Sequence, residues 1–555
     1  MRATEARSEE RSIAAAPSSL NAATRLRALE RATTGKPSID VLVIGGGITG
    51  VGVALDAASR GLRTVLLEAN DLGSGTSGVS SKLVHGGLRY LAKGDVPLAW
   101  ESAVERKYLM QTIAPHLVRP LRFLIPDGEA GASGRAAFAL SSAGVGLADA
   151  LRRVSGLSSR RLPGPRLLGR QGVLRLSPGQ NKQGLRGGLV YWDGQVEDDA
   201  RLVLAVARTA ARLGAGIIRD CRVTQAHPDR VSFRDERTGE SGEIRAGVVI
   251  NATGVWAAEL EPSLSMTPSR GSHLVLDADA IGRPIAAVTM PVPGAFGRFL
   301  FALPQANGAV YFGLTDEAAP GADGLAAEAP EADRAFLLDI LNRHLATPIS
   351  DAEVRASFSG LRPLVGAAGG ETADASRHHL VLDRPGAPIC IVGGKLTVYR
   401  KMAEDAVDAA VARLRADGKP GGDSARSKTR RLALVGATAP VSGGPHLPPG
   451  AIDYRRSRPP GQRLAERFGA ESGRILSLGI ADPALLEPIL PGHDVLAAEV
   501  LFASLAEGAE TPADVLERRT RLALSAAADL ASEEHKAALQ QRIEALLERG
   551  REAIA

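Results

Sequence analysis

At 555 residues the chain exceeds the roughly 250–300 residues at which one hydrophobic core stops growing, so two or three packed units are expected. Apolar residues at 44% and charged residues at 23% exclude a disordered or fibrous chain, and two distant cysteines, Cys221 and Cys390, exclude a disulfide framework or a zinc site. The formal charge of +5 suits an anionic substrate or a membrane surface; no nucleic-acid motif or aromatic interleaving accompanies the basic runs, so nucleic acid is not an expected partner.

In chain order, residues 1–36 lack the apolar stretch of a signal peptide and are expected to form a flexible arm with a short helix near 20–29. An apolar run over 41–44 then leads through Gly45, Gly46, Gly47, Ile48, Thr49 and Gly50 into an apolar segment over 51–58, which predicts strand, tight turn and helix. A second strand over 64–68 completes a βαβ unit. The spacing predicts a helix over 196–213, a strand following 214–220, and another buried strand ending at Asn251-Ala252-Thr253-Gly254. Between 268 and 314, β-branched and aromatic residues interrupted by Gly and Pro predict an antiparallel sheet. A strand over 388–392, the turn Gly393-Gly394 and a helix to Arg413 return the chain to the first unit. A polar break over 416–428 predicts a linker, and helical periodicity at 495–507 and 511–530 predicts a C-terminal helical domain. No window holds the ~18 consecutive apolar residues that would span a bilayer.

Gly45, Gly47 and Gly50 match G-x-G-x-x-G. The first permits the sharp turn, the second lets backbone approach a pyrophosphate, and the third lets helix pack on strand, with the helix N-terminus facing the phosphates. Glu68, at the end of the second strand, is placed to accept ribose hydroxyls and to repel a 2′-phosphate. The motif implies NAD or FAD without choosing between them.

The choice comes from the segment Gly78-Val79-Ser80-Ser81-Lys82-Leu83-Val84-His85-Gly86-Gly87-Leu88-Arg89-Tyr90, which strongly resembles the signature of the respiratory FAD-dependent glycerol-3-phosphate dehydrogenases. Ordered matches follow at Asp198-Asp199-Ala200-Arg201, Gly271-Ser272-His273, Gly313-Leu314-Thr315-Asp316, Ser359-Gly360-Leu361-Arg362-Pro363 and Gly393-Gly394-Lys395-Leu396-Thr397. Leu314 and Val398 stand where the family usually has threonine, and 127–175 matches poorly.

The resemblance implies an α/β fold. It consists of a discontinuous Rossmann-like FAD-binding domain (37–125, 180–265 and 355–415), an antiparallel β substrate domain like that of D-amino-acid and glycine oxidases (126–179 and 266–354), a linker (416–429) and a helical domain (430–555). It implies oxidation of sn-glycerol 3-phosphate to dihydroxyacetone phosphate by hydride transfer to flavin N5, with electrons passed to a membrane quinone by a cytoplasmic enzyme held peripherally on the inner face of the cell membrane. A homodimer is left open. The nearest alternatives are a glycerol-3-phosphate oxidase using oxygen and an amine or amino-acid oxidase on the same fold.

By position in the matching motifs, Arg89, Arg362, Arg377 and Lys395 form a cationic cluster facing substrate beside Tyr90; guanidinium forks bind two phosphate oxygens at once. His273 is the favoured base and His85 is placed near the flavin. Thr76, Ser77, Ser81, Lys82, Leu83, Gly254, Gly393, Gly394, Leu396 and Thr397 are expected to contact the cofactor.

Overall fold

The apolar run Ile39–Ile44 is buried at every position, the pattern of a strand covered on both faces. It lies at the centre of a parallel set, with Val43 opposite Ile250 of Ser241–Asn251 on one side and Leu66 of Thr64–Leu67 on the other. Gly216–Ile218 extends this set beyond Thr64–Leu67, and Ile389–Gly393 extends it beyond Ser241–Asn251, with His379–Leu382 antiparallel at that edge. The computed structural model describes residues 2–35, 38–87, 90–91, 94–128, 131–295, 298–325, 327–364, 378–438, 447–448, 451–452, 454 and 459–555.

One face of this sheet is covered by the helices Ile48–Ser59, Asp199–Arg212 and Tyr399–Ala416, whose Val51, Val203 and Val407 are fully buried in a shared core. Each such side chain contributes roughly 1.5–3 kcal/mol by leaving water. The hairpin Cys221–Ala226 and Arg230–Asp235 and the helix Ala22–Thr34 cover the other face.

A second, mostly antiparallel sheet is built around Ser269–Asp277, Ala309–Gly313, Phe299–Pro304 and Ala287–Pro291. Four further members arrive wholly or mostly from outside the expected substrate segments: Leu83–Val84, Val118–Asp127, Gly187–Val196 and Val354–Arg362. The boundaries expected at 125, 180 and 355 therefore divide strands from the sheet they complete. Their partners are distant in the chain, and alternation alone does not say which sheet a strand joins. The C-terminal helical domain packs Pro460–Phe468, Ser472–Ala481, Ala497–Glu507 and Glu533–Ile554 around Ile475, Phe502, Ile543 and Leu547. Over the predicted helix 511–530 the chain instead makes a wide turn, Asp514–Arg519, and a four-residue helix, Leu522–Ser525.

The flexible arm is overturned. Residues Arg2–Ala14 and Ala22–Thr34 are helices, and Ile13 is fully buried in the C-terminal core. Asn21 caps the second helix through Thr24 N at 3.1 Å and donates to Leu505 O at 2.9 Å, while Arg25 donates to Arg219 O at 2.7 Å and Asp235 Oδ1 at 2.9 Å. The segment is too poor in apolar residues to look folded; its order comes from docking across two other units. The class itself holds: a discontinuous Rossmann-like unit, a largely antiparallel β unit and a C-terminal helical domain.

Candidate active site

The C-terminal ends of the parallel strands meet one cavity of about 2310 Å³, where ligands bind in open α/β sheets. Gly45 turns with φ +106°, and a Cβ there would come 2.7 Å from Ala252 O. A Cβ at Gly50 would strike the Gly45 carbonyl, so Gly50 serves helix–strand packing while Gly45, Gly46, Gly47 and Thr49 line the cavity. Gly47 stands at the N-cap of Ile48–Ser59 without a side-chain cap, and Ser77 Oγ accepts from Ile48 N at 2.9 Å. Glu68 accepts from the amides of Gly46 at 2.5 Å and Asn70 at 2.7 Å, and burial pushes its carboxyl above the ordinary range. Each oxygen keeps a lone pair for a further donor such as a ribose hydroxyl.

At the other end of the cavity, Gly393 and Gly394 turn with φ +77° and +71° ahead of the helical turn Leu396–Val398. Thr76, Ser77, Ser81, Leu83, His85, Tyr90, Gly254, Arg362, Lys395, Leu396 and Thr397 all line it. Lys395 Nζ sits 3.9 Å from the centre of the Tyr90 ring and donates to Ser102 Oγ at 2.5 Å. Arg362 donates to Ser269 Oγ at 3.0 Å, Asp316 Oδ1 at 3.1 Å and Thr315 O at 2.9 Å. His85 stacks on Tyr90 with ring centres 5.9 Å apart. Arg89 and Arg377 lie outside the described residues.

Two expected residues stand behind the wall. His273 is fully buried, stacked on Phe358 at 4.6 Å, and reaches the cavity through Ser81, whose Oγ is 3.0 Å from its Nε2. The expected cofactor contact of the Lys82 side chain is corrected: its buried ammonium pairs with Asp199 at 2.7 Å, away from the cavity. It stands between Ser81 and Leu83, which both line the cavity, so its side chain leaves on the opposite side, with a left-handed φ of +57°.

Burial, followed by the positive charges of Arg362 and Lys82, pulls His273 down to about 3; burial, then Arg119 and Arg201, pulls His116 down to about 4. Both rings are therefore neutral when folded, and below pH 6.5 the unfolded chain takes up protons that the folded chain refuses. The stability they contribute is complete above about pH 6.5 and is lost as pH falls toward 4, at up to about 1.4 kcal/mol per pH unit for each ring. His116→Asn should flatten the dependence of the thermal midpoint on pH between 6.5 and 4.5; a slope equal to that of the parent protein would show that His116 titrates normally in the fold.

Motif reasoning missed several cavity residues. The helix Gly131–Val154 contributes Leu140, Gly144 and Leu147. Asp193 also lines the cavity, pairing with Arg106 at 2.5 Å and accepting from Gly86 N at 3.1 Å. Asp193 lies in a strand without a motif, and only the absence of acidic residues over 150–192 marks the region as unusual.

The residues fit FAD: a glycine cradle that side chains would fill, a backbone-held acid, and a second glycine turn opening a helix beside Lys395. The FAD dependent oxidoreductase family matches residues 40–400, and the C-terminal domain of alpha-glycerophosphate oxidase matches 427–543. The chain is 45% identical over 511 residues to glycerol-3-phosphate dehydrogenase 1 of Mycobacterium tuberculosis, covering 91% of this chain and 95% of that protein. It is 35% identical to a glycerol-3-phosphate dehydrogenase of Synechocystis sp., covering 87% and 89%. In fold it is similar to the Bacillus halodurans glycerol-3-phosphate dehydrogenase solved with FAD, at TM-score 0.66 and 24% identity over 95% of this chain and 98% of that one. With an FAD dependent oxidoreductase match over 40–400 and relatives matched over about nine-tenths of the chain, the chain belongs to the FAD-dependent glycerol-3-phosphate dehydrogenase family of oxidoreductases.

Proposed function

We propose that the protein oxidises sn-glycerol 3-phosphate to dihydroxyacetone phosphate and passes the electrons to a membrane quinone. The observation that carries this reading is the opening of Arg362 and Lys395 into the same cavity as the glycine cradle. Fixed cations of this kind suit a phosphorylated alcohol. Bound FAD supplies the two-electron acceptor for the alcohol carbon. Arg362 and Lys395 hold the phosphate, joined by Arg89 and Arg377. Ser81 receives the hydroxyl proton and passes it to His273, whose neutral ring accepts at Nε2 when its hydrogen sits on Nδ1.

The cavity's other wall supports a lipophilic acceptor. Phe123, Ile125, Leu140, Leu147 and Phe299 line it, and Leu140, Leu147 and Phe299 also face solvent. Val154 and Leu167 are exposed nearby in sequence, and residues 150–192 hold nine Lys and Arg and no Asp or Glu. Apolar side chains flanked by cations suit the surface of an anionic bilayer. No helix among the described residues is long and apolar enough to cross a membrane.

Adding glycerol 3-phosphate without oxygen should bleach the visible flavin absorbance, and a short-chain quinone should restore it. Bleaching by glycine or sarcosine in its place would sink the substrate assignment, and stoichiometric peroxide in air with no response to quinone would make the protein an oxidase. In the same assay, anionic but not zwitterionic vesicles should co-sediment with the enzyme.

A further inference from the structure

The cavity wall bearing Thr76, Ser77, Ser80 and Ser81 is held from behind by a residue of the C-terminal domain. Asp199, fully buried at the start of the helix Asp199–Arg212, accepts from Ser80 N and Ser80 Oγ, each at 2.8 Å, and from Lys82 Nζ at 2.7 Å. Arg521 reaches the same carboxylate with Nη2 at 2.6 Å and places that nitrogen 2.8 Å from the Gly78 carbonyl and its Nε 3.1 Å from Asp198 Oδ1. One guanidinium thus binds two acids and the wall's own backbone.

The two cations that pair with Asp199 adopt left-handed backbone conformations, Lys82 with φ 57° and Arg521 with φ 65°. Such conformations are unfavourable for residues with a Cβ and persist only where the surroundings dictate them. On its front, the same wall presents Thr76 Oγ1 to Leu361 O at 2.6 Å, Ser77 Oγ to Ile48 N at 2.9 Å and Ser81 Oγ to His273 Nε2 at 3.0 Å. The hydroxyls that meet the helix N-terminus and the histidine therefore share a segment whose rear contacts are ionic, buried and supplied from another domain.

We propose that Arg521 is a positioning residue: through Asp199 and the Gly78 carbonyl it sets the 76–82 wall, making docking of the C-terminal helical domain a condition of productive site geometry. This rests on the glycerol 3-phosphate reading for its kinetic readout alone. The control is Arg208, which is also buried against that domain, more deeply than Arg521, and pairs with Glu471 at 2.5 Å with no hydrogen bond or ion pair to the wall.

In the FAD-bound enzyme, Arg521→Ala should raise amide exchange across 76–82 by about tenfold or more. It should also alter the visible circular dichroism of the flavin and lower kcat about tenfold with KM nearly unchanged. Arg208→Ala should lower the thermal midpoint yet leave exchange of 76–82, the flavin signal and kcat within about twofold of the parent. Arg521→Lys, which keeps the charge but cannot span three acceptors, should fall between parent and Arg521→Ala, and it decides the matter if the alanine variant does not fold. Parent-like exchange and flavin dichroism in Arg521→Lys and Arg521→Ala, or equal effects of Arg208→Ala, would overturn the proposal. Should the parent enzyme fail to turn over glycerol 3-phosphate, the exchange and dichroism comparisons still judge Arg521, separating that failure from this one.

Discussion

Replacing Arg362 with alanine should lower kcat/KM for glycerol 3-phosphate by about 10²- to 10³-fold, because truncating one partner of a largely buried, hydrogen-bonded charge pair costs about 2–5 kcal/mol. Arg362 comes from the strand Val354–Arg362 and is aimed by Ser269 Oγ, Thr315 O and Asp316. Its fork is thereby ordered before substrate arrives. A Cβ at the facing Gly271 would collide with the guanidinium, so that glycine keeps the space the side chain occupies. Unphosphorylated glycerol is the decisive control. If Arg362 binds phosphate, the slow turnover of glycerol should barely change. Equal losses for both substrates would assign the effect to disturbance of Ser269 and Asp316, which Arg362 holds, and would remove Arg362 from phosphate binding.

Gly50→Val should yield protein without bound FAD. The added Cβ would come 1.9 Å from the Gly45 carbonyl oxygen, which is backbone and cannot rotate aside as a side chain can. Gly45 is itself committed to φ +106° with Ala252 behind it, so neither partner has room to retreat. Overpacking of this kind costs about 1–3 kcal/mol or more, and here the displaced atoms belong to the turn that must hold a pyrophosphate. The ratio of flavin to protein absorbance in the purified variant reads the outcome. Gly50→Val with full flavin content would mean that the helix Ile48–Ser59 can slide on its strand and that Gly50 is dispensable.

Local chemistry was readable wherever one short segment carried its whole reason. Gly45 to Gly50 are such a case: the turn, the close approach and the helix start depend on neighbours a few residues away, and the strand–turn–helix appears where expected. The same holds for Gly393 and Gly394. Lys82 shows the limit, since its motif position suggested a cofactor contact, while its side-chain direction depends on a left-handed φ and on Asp199, more than a hundred residues away.

The residue sequence alone determined the glycine turn and the strands that support it, because glycine spacing and apolar runs act over a few residues and survive any arrangement of the rest; the family was legible in its ordered motif matches. Tertiary structure decided which sheet received Val118–Asp127, Gly187–Val196 and Val354–Arg362, why the N-terminal helices are ordered, and how Arg521 reaches Asp199 and the Gly78 carbonyl behind the wall. Those outcomes rest on strand pairing and buried ion pairs between segments far apart in the chain. Their energy exists only once the partners meet, so no local pattern records it.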